Sequence, residues 1–226
     1  MKYALSIIAM IVFCFACTPA AVAQDEPAKL AGLELGMSPD EALGVLAAAG
    51  YVPFKDPYDR PTYDDKFVPS FQVLVSEARR TGQPQVRPNV SSDQYDTLSK
   101  ALRVKEESDE AVTLIFDAFE EGASLSSVEY VNRSADLTNE IFQSRVTERY
   151  GEPNGQTGTI HKKPAWDFGT VTVDGLQASE LLTLEMRSGF PERTLVLRRA
   201  FAAGAYLGLI KQKADALTTE PSETTF

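Results

Sequence analysis

Apolar side chains at Leu33, Leu35 and Met37 alternate with Gly32, Glu34 and Gly36, a period of two that predicts a strand. Ser38-Pro39-Asp40-Glu41 follows as a capping box. The serine hydroxyl accepts from the amide of Glu41 while the glutamate carboxylate reaches back, and Pro39 takes the first helical position, where no N–H is needed. Leu43, Val45 and Leu46 supply an apolar face, and Gly50 ends that helix. Phe71, Leu74, Val75 and Ala78 have the i, i+3, i+4, i+7 spacing of a second helix closed by Gly82. Residues 82–92 read as a loop. Tyr95, Leu98 and Leu102 fit either a short helix or a paired strand.

The period of two returns at Val112, Leu114 and Phe116, with Ile115 and Phe119 opposite. Across Glu120-Glu121-Gly122 it predicts a hairpin whose second strand holds Val128 and Tyr130. A helix over 138–150 follows from Phe142, Val146 and Tyr150, stopped by Gly151 and Pro153. Strands are expected over 166–173, 181–187 and 194–199, with Gly189 and Pro191 turning the last two, and then a final helix over 200–217. Together these elements predict an α+β protein: an antiparallel sheet with helices packed on one face, a single compact unit or two similar modules fused.

The first 23 residues read as a secretory signal peptide. Lys2 is the basic start, Ala4 to Ala16 the apolar stretch, and Ala21-Val22-Ala23 the small-x-small pattern that places cleavage after Ala23. The expected division is a signal at 1–23, a flexible lead-in at 24–29, a first module over 24–110 containing a proline-rich region, a second over 111–217 and a disordered tail at 218–226. The protein is therefore expected to be exported, in the first place to the periplasm. Lipid anchoring through Cys17 and outright secretion are the alternatives, and no transmembrane span is expected in the mature chain.

Composition narrows the chemistry. The chain has 226 residues, net charge −10, two cysteines and one histidine. Both cysteines, Cys14 and Cys17, lie in the leader, so the mature chain is expected to lack a disulfide, a thiol nucleophile and a Cys-based zinc site. His161, between Thr159-Ile160 and Lys162-Lys163, reads as an exposed loop residue, and one imidazole supports neither a typical zinc site nor a Ser-His-Asp triad. The acidic balance excludes nucleic acid as a default partner. No cofactor, metal or catalytic residue is assigned.

Six of the 13 prolines fall between Pro53 and Pro88. Within this stretch Tyr58, Tyr63 and Phe67 are the candidate partner-binding residues, since aromatic rings in a loop offer large contact area at low entropic cost. Glu106, Glu107, Asp109 and Glu110 read as a solvated cluster that keeps the following strand from aggregating. Gly204 and Gly208 read as small residues letting a helix approach a sheet.

Gly36-Met37-Ser38-Pro39-Asp40-Glu41-Ala42, with Leu46 and Gly50-Tyr51, and later Arg149-Tyr150-Gly151-Glu152-Pro153, resemble helix starts and exits of small exported bacterial envelope proteins. They are similar to modules of the small lipoprotein in the outer-membrane β-barrel assembly machine and of the β-lactamase inhibitory proteins. The resemblance covers some 20 residues and implies helices on one face of an antiparallel sheet, acting through protein–protein contact. The 51–110 stretch is longer than such a module needs, and no functional residue carries over.

The expected role is a non-enzymatic binding or envelope-associated protein with a protein partner, met by the outer sheet face or the Tyr58–Phe67 loop. Small-ligand binding in a cleft between modules, and a carboxylate-dependent hydrolase of cell-wall or glycan substrates, are the alternatives.

Overall fold

The computed structural model describes residues 28–54, 66–159, 161–186 and 191–219. Within them the chain forms an antiparallel α+β fold. Its elements are β1 (Lys29–Leu30), β2 (Leu33–Glu34), α1 (Pro39–Ala48), β3 (Val52–Pro53), β4 (Lys66–Pro69), α2 (Phe71–Thr81), β5 (Tyr95–Lys105), β6 (Glu110–Phe119) and β7 (Gly122–Asn132). They continue with α3 (Asn139–Tyr150), β8 (Gly155–Thr157), β9 (Lys163–Val173), β10 (Leu176–Met186), β11 (Arg193–Phe201) and α4 (Ala205–Thr219).

The main sheet runs β3-β5-β6-β7-β11-β10-β9-β8, with β4 also paired to β5. Its two halves mirror each other. A helix, a two- or three-residue edge strand and a three-strand meander occur first as α1-β3-β5-β6-β7 and again as α3-β8-β9-β10-β11. The two meanders meet at the centre, where β7 pairs with β11 from Asn132↔Arg193 to Ser127↔Arg198. The element order starts over in residues 133–138. Residue 110, the expected module boundary, opens β6 and is paired with Lys105.

One face of the sheet carries the main core. Val112, Leu114 and Phe116 of β6, Val128 of β7, Leu182 and Leu184 of β10, and Leu195 and Leu197 of β11 pack there against Ala42 and Leu46 of α1 and Phe142 and Val146 of α3. A second cluster lies at the sheet end that holds the 120–121 and 174–175 turns. Phe71, Leu74, Val75 and Ala78 of α2 meet Leu209, Ile210 and Ala214 of α4 and Phe119 of β6. Among the described residues no helix is long and apolar enough to cross a membrane.

The helix signals produce the helices they predict. Ser38 N–H donates to Glu41 Oε2 at 2.9 Å and the Glu41 amide to Ser38 Oγ at 3.4 Å, closing the capping box. The Glu41 carboxyl is held below its ordinary value by those Ser38 bonds. Thr138 caps α3 through the Ile141 amide. Trp166 Nε1 donates to the Gly151 carbonyl at 2.9 Å, tying the exit of α3 to β9.

Other expectations change. Tyr95–Lys105 is a strand, because β6 offers it a full ladder from Lys100↔Ile115 to Lys105↔Glu110. The strand expected at 33–37 shortens to a two-residue hairpin with β1 around Ala31 and Gly32, both at positive φ, the geometry of a type I′ turn. Gly36 and Met37 then bond to both backbone groups of Leu125. Gly36 has φ +98, a backbone conformation strained for any side chain, and a Cβ there would lie 2.8 Å from the Arg199 guanidinium and push it aside.

The lead-in is ordered at its end: Ala28 and Leu30 are buried. Helix α4 continues to Thr219, past the expected helix end at 217, and residues 200–201 still belong to β11. Gly204 and Gly208 do not pack on the sheet; both are exposed, with nothing within 4 Å of the position a Cβ would take. Ala23, Gly189 and residues 220–226 lie outside the described residues.

Candidate functional site

Edge strand β4 organises the most exposed apolar surface. It is held by β5 through Phe67↔Leu98 and Val68↔Thr97. Successive residues of a strand point to opposite sides, and here they border two different hollows. Phe67 is 53% exposed and flanks a hollow of about 450 Å³ with Leu43 of α1, Leu98 and Ala123. Val68 faces a second hollow of about 370 Å³, walled by Leu74 of α2, Val86 and Arg87 of the loop after α2, Ile115 of β6 and Tyr206 of α4.

Why these side chains are left uncovered follows from the sheet. Ile115 alternates with the core residues Leu114 and Phe116 and so points to the opposite face, with Thr113, Ser127, Glu129, Val196 and Arg198, none of which joins either apolar cluster. Ile115 is 41% exposed and Val86 44%. Ser126 is an extra residue in the β6–β7 ladder, between Ile115↔Ser127 and Phe116↔Leu125, and its hydroxyl donates to the Ile115 carbonyl at 3.1 Å. That bulge bends the hairpin beside the second hollow.

The hollow has a polar corner. Burial raises the Asp117 carboxyl above its ordinary value, against the opposing pull of Ser126 and Arg199. Burial also raises the Tyr206 phenol, so it remains a neutral donor, and its hydroxyl donates to the Ala118 carbonyl. Its ring meets Phe119 edge-on at 5.4 Å.

Of the expected site residues, Tyr58 and Tyr63 lie outside the described residues, whereas Phe67 is exposed on β4. Val86 and Ile115, which share the surface around that strand, carry no motif. Ile115 was readable as the polar-face exception in an alternating strand, but only the sheet reveals its neighbours. His161 is exposed in the turn before β9. Asn132, first residue of an Asn-Arg-Ser sequon, is buried and donates to the Tyr130 hydroxyl, out of reach of modification.

A general acid in a hydrolytic carboxylate pair owes its raised pKa to burial. Among the described residues, Asp117 is the only carboxylate lining the second hollow, while the two lining the Phe67 hollow, Asp40 and Asp96, are both exposed. Glu180 is buried but bound to Arg199, Nε to Oε1 at 3.0 Å. Among the described residues, no group of three or more His, Cys, Asp or Glu side chains is placed to hold a metal ion.

Comparison of the chain with protein-family profiles, with characterised proteins and with solved structures returned no match.

Proposed function

We infer that this chain is an exported, non-enzymatic binding protein that acts through protein–protein contact, with the surface around β4 as its contact face. The observation that carries this reading is that β4 presents exposed Phe67 on one side and, on the other, borders the hollow that holds exposed Val86 and Ile115. They are three of the seven large apolar side chains left exposed among the described residues. Ile115 is two strands from β4, roughly 10 Å at the usual strand spacing. Apolar anchors set in hollows and rimmed by charge are the anatomy of a contact centre. Asp40 and Asp96 on the Phe67 side, and Arg87 on the other, make that rim. The leader supports export to the periplasm, with anchoring through Cys17 or secretion as variants of the same role. The repeated helix-and-meander order supports the resemblance to small envelope-protein modules.

Photo-crosslinking in the native cell envelope tests this. A photoreactive phenylalanine analogue at position 67 or 115 should capture one reproducible protein, and Val86→Ser should abolish the capture at 115. The same analogue at position 207, an equally exposed apolar position on α4, should not capture it. Equal capture from all three positions, or none from 67 and 115, would overturn the assignment.

A further inference from the structure

A third hollow, of about 350 Å³, lies on the core face where the two halves of the sheet meet, remote from β4 in the ladder. Its floor is apolar and buried: Leu30 of β1, Phe142 and Val146 of α3, and Leu195 of β11. One wall comes from the first half. There Tyr51, just past the exit of α1, donates its hydroxyl to Glu110, and Asn132 Nδ2 donates to the Tyr130 hydroxyl at 3.2 Å. Burial raises both phenols, more strongly for Tyr51, so they stay neutral donors. Glu110 is thereby engaged from within the protein.

The opposite rim comes from the second half. Arg145 and Arg149, one helical turn apart on α3, both border the hollow and are both exposed. The Arg145 charge is close enough to act on the Tyr130 phenol, partly opposing the effect of burial, and Arg149 lies over the Tyr150 ring at 5.5 Å. Neither guanidinium forms an ion pair among the described residues. In a chain with ten more acidic than basic residues, two such cations over an apolar floor are a local reversal of charge.

We propose that this cleft binds a small amphipathic anion: one carboxylate, or a like acid head, held by Arg145 and Arg149, with an apolar body lying over Leu30, Phe142 and Leu195. The volume is at the small end of ligand sites, which suits a single short chain or a fused-ring body. Guanidinium forks bind such heads in two-point contact. The outer sheet face and the β4 surface take no part, so this assignment stands or falls separately from the contact reading.

Isothermal titration of the full chain with decanoate and with 1-naphthoate tests it, using decanol and 1-naphthylmethanol as uncharged controls. The acid should bind one-to-one below about 1 mM and the matching alcohol at least tenfold more weakly. Arg145→Gln with Arg149→Gln should lose the acid tenfold or more while leaving the melting temperature unchanged, because both side chains are exposed. Decanoate alone binding assigns an aliphatic source, naphthoate alone an aromatic one. No binding by either acid, or binding that survives the double substitution, would overturn the proposal.

Discussion

The two halves of the sheet follow one plan but differ in what separates the edge strand from the meander. In the second half β8 leads to β9 across residues 158–162. In the first, residues 54–94 intervene between β3 and β5 and contain β4 and α2. This difference has two consequences. The inserted α2 buries its stripe on α4, creating an apolar cluster that the helix-and-meander plan does not contain. The insert also carries Phe67 and Val86, and its walls turn the exposed Ile115 into the floor of a hollow. In the second half no helix or additional strand stands between β8 and β9. Insertion into a repeated scaffold thus yields a surface that the scaffold alone lacks, as expected where loops carry function on a rigid frame.

The comparison is broken most forcefully through the core. Leu114→Ala in the first half and Leu184→Ala in the second should each cost about 2–5 kcal/mol, and urea unfolding should show one transition in both, since both side chains belong to one cluster. Two separable transitions would make the halves independent domains.

A smaller effect sharpens the difference between the helix starts. Ser38→Ala and Thr138→Ala should each cost about 0.5–2 kcal/mol. The first should cost more, because the Ser38 hydroxyl both accepts from the Glu41 amide and donates to its carboxylate at 2.9 Å, while the Thr138 hydroxyl has the single bond from the Ile141 amide. Equal losses would show that the hydroxyl–carboxylate bond adds nothing to the cap.

The smallest effect lies at the insert's hollow and depends on pH. Burial raises Asp117 above its ordinary 3.8, so folding favours the protonated acid. Its contribution is complete below 3.8 and fades as pH rises through the higher folded value. Asp117→Asn, which cannot ionise, should therefore raise the melting temperature relative to the parent at pH 7 and lose that advantage near pH 3.5. An advantage identical at both pH values would show that the carboxyl does not ionise against a burial penalty.

Much of the fold was legible residue by residue. The box at Ser38–Glu41, the Phe71-Leu74-Val75-Ala78 stripe closed by Gly82, and the Glu120-Glu121-Gly122 turn all act over a few residues. Asp174-Gly175, both at positive φ, is an equally local hairpin signal; it places the β9–β10 turn and starts β10 at Leu176 rather than Leu181. Tyr95–Lys105 was ambiguous because its apolar spacing satisfies two periods, and only the ladder with β6 resolves it. Of the candidate contact residues, Phe67 was visible as an exposed aromatic and Ile115 as an apolar residue on the polar face of its strand, whereas Val86 has no distinguishing local pattern.

By itself the sequence determined the helices, their caps, the hairpins and the antiparallel α+β class, because capping bonds and side-chain periodicity are settled within one or two turns of chain. Tertiary structure decided the joining of β7 to β11, the hollows around β4 and the arginine-rimmed cleft. Those depend on partners such as Tyr51 and Glu110, 59 residues apart, and Tyr150 and Lys29, 121 apart. Contacts over such separations exist only once both elements are buried against the same sheet, and no local pattern records them.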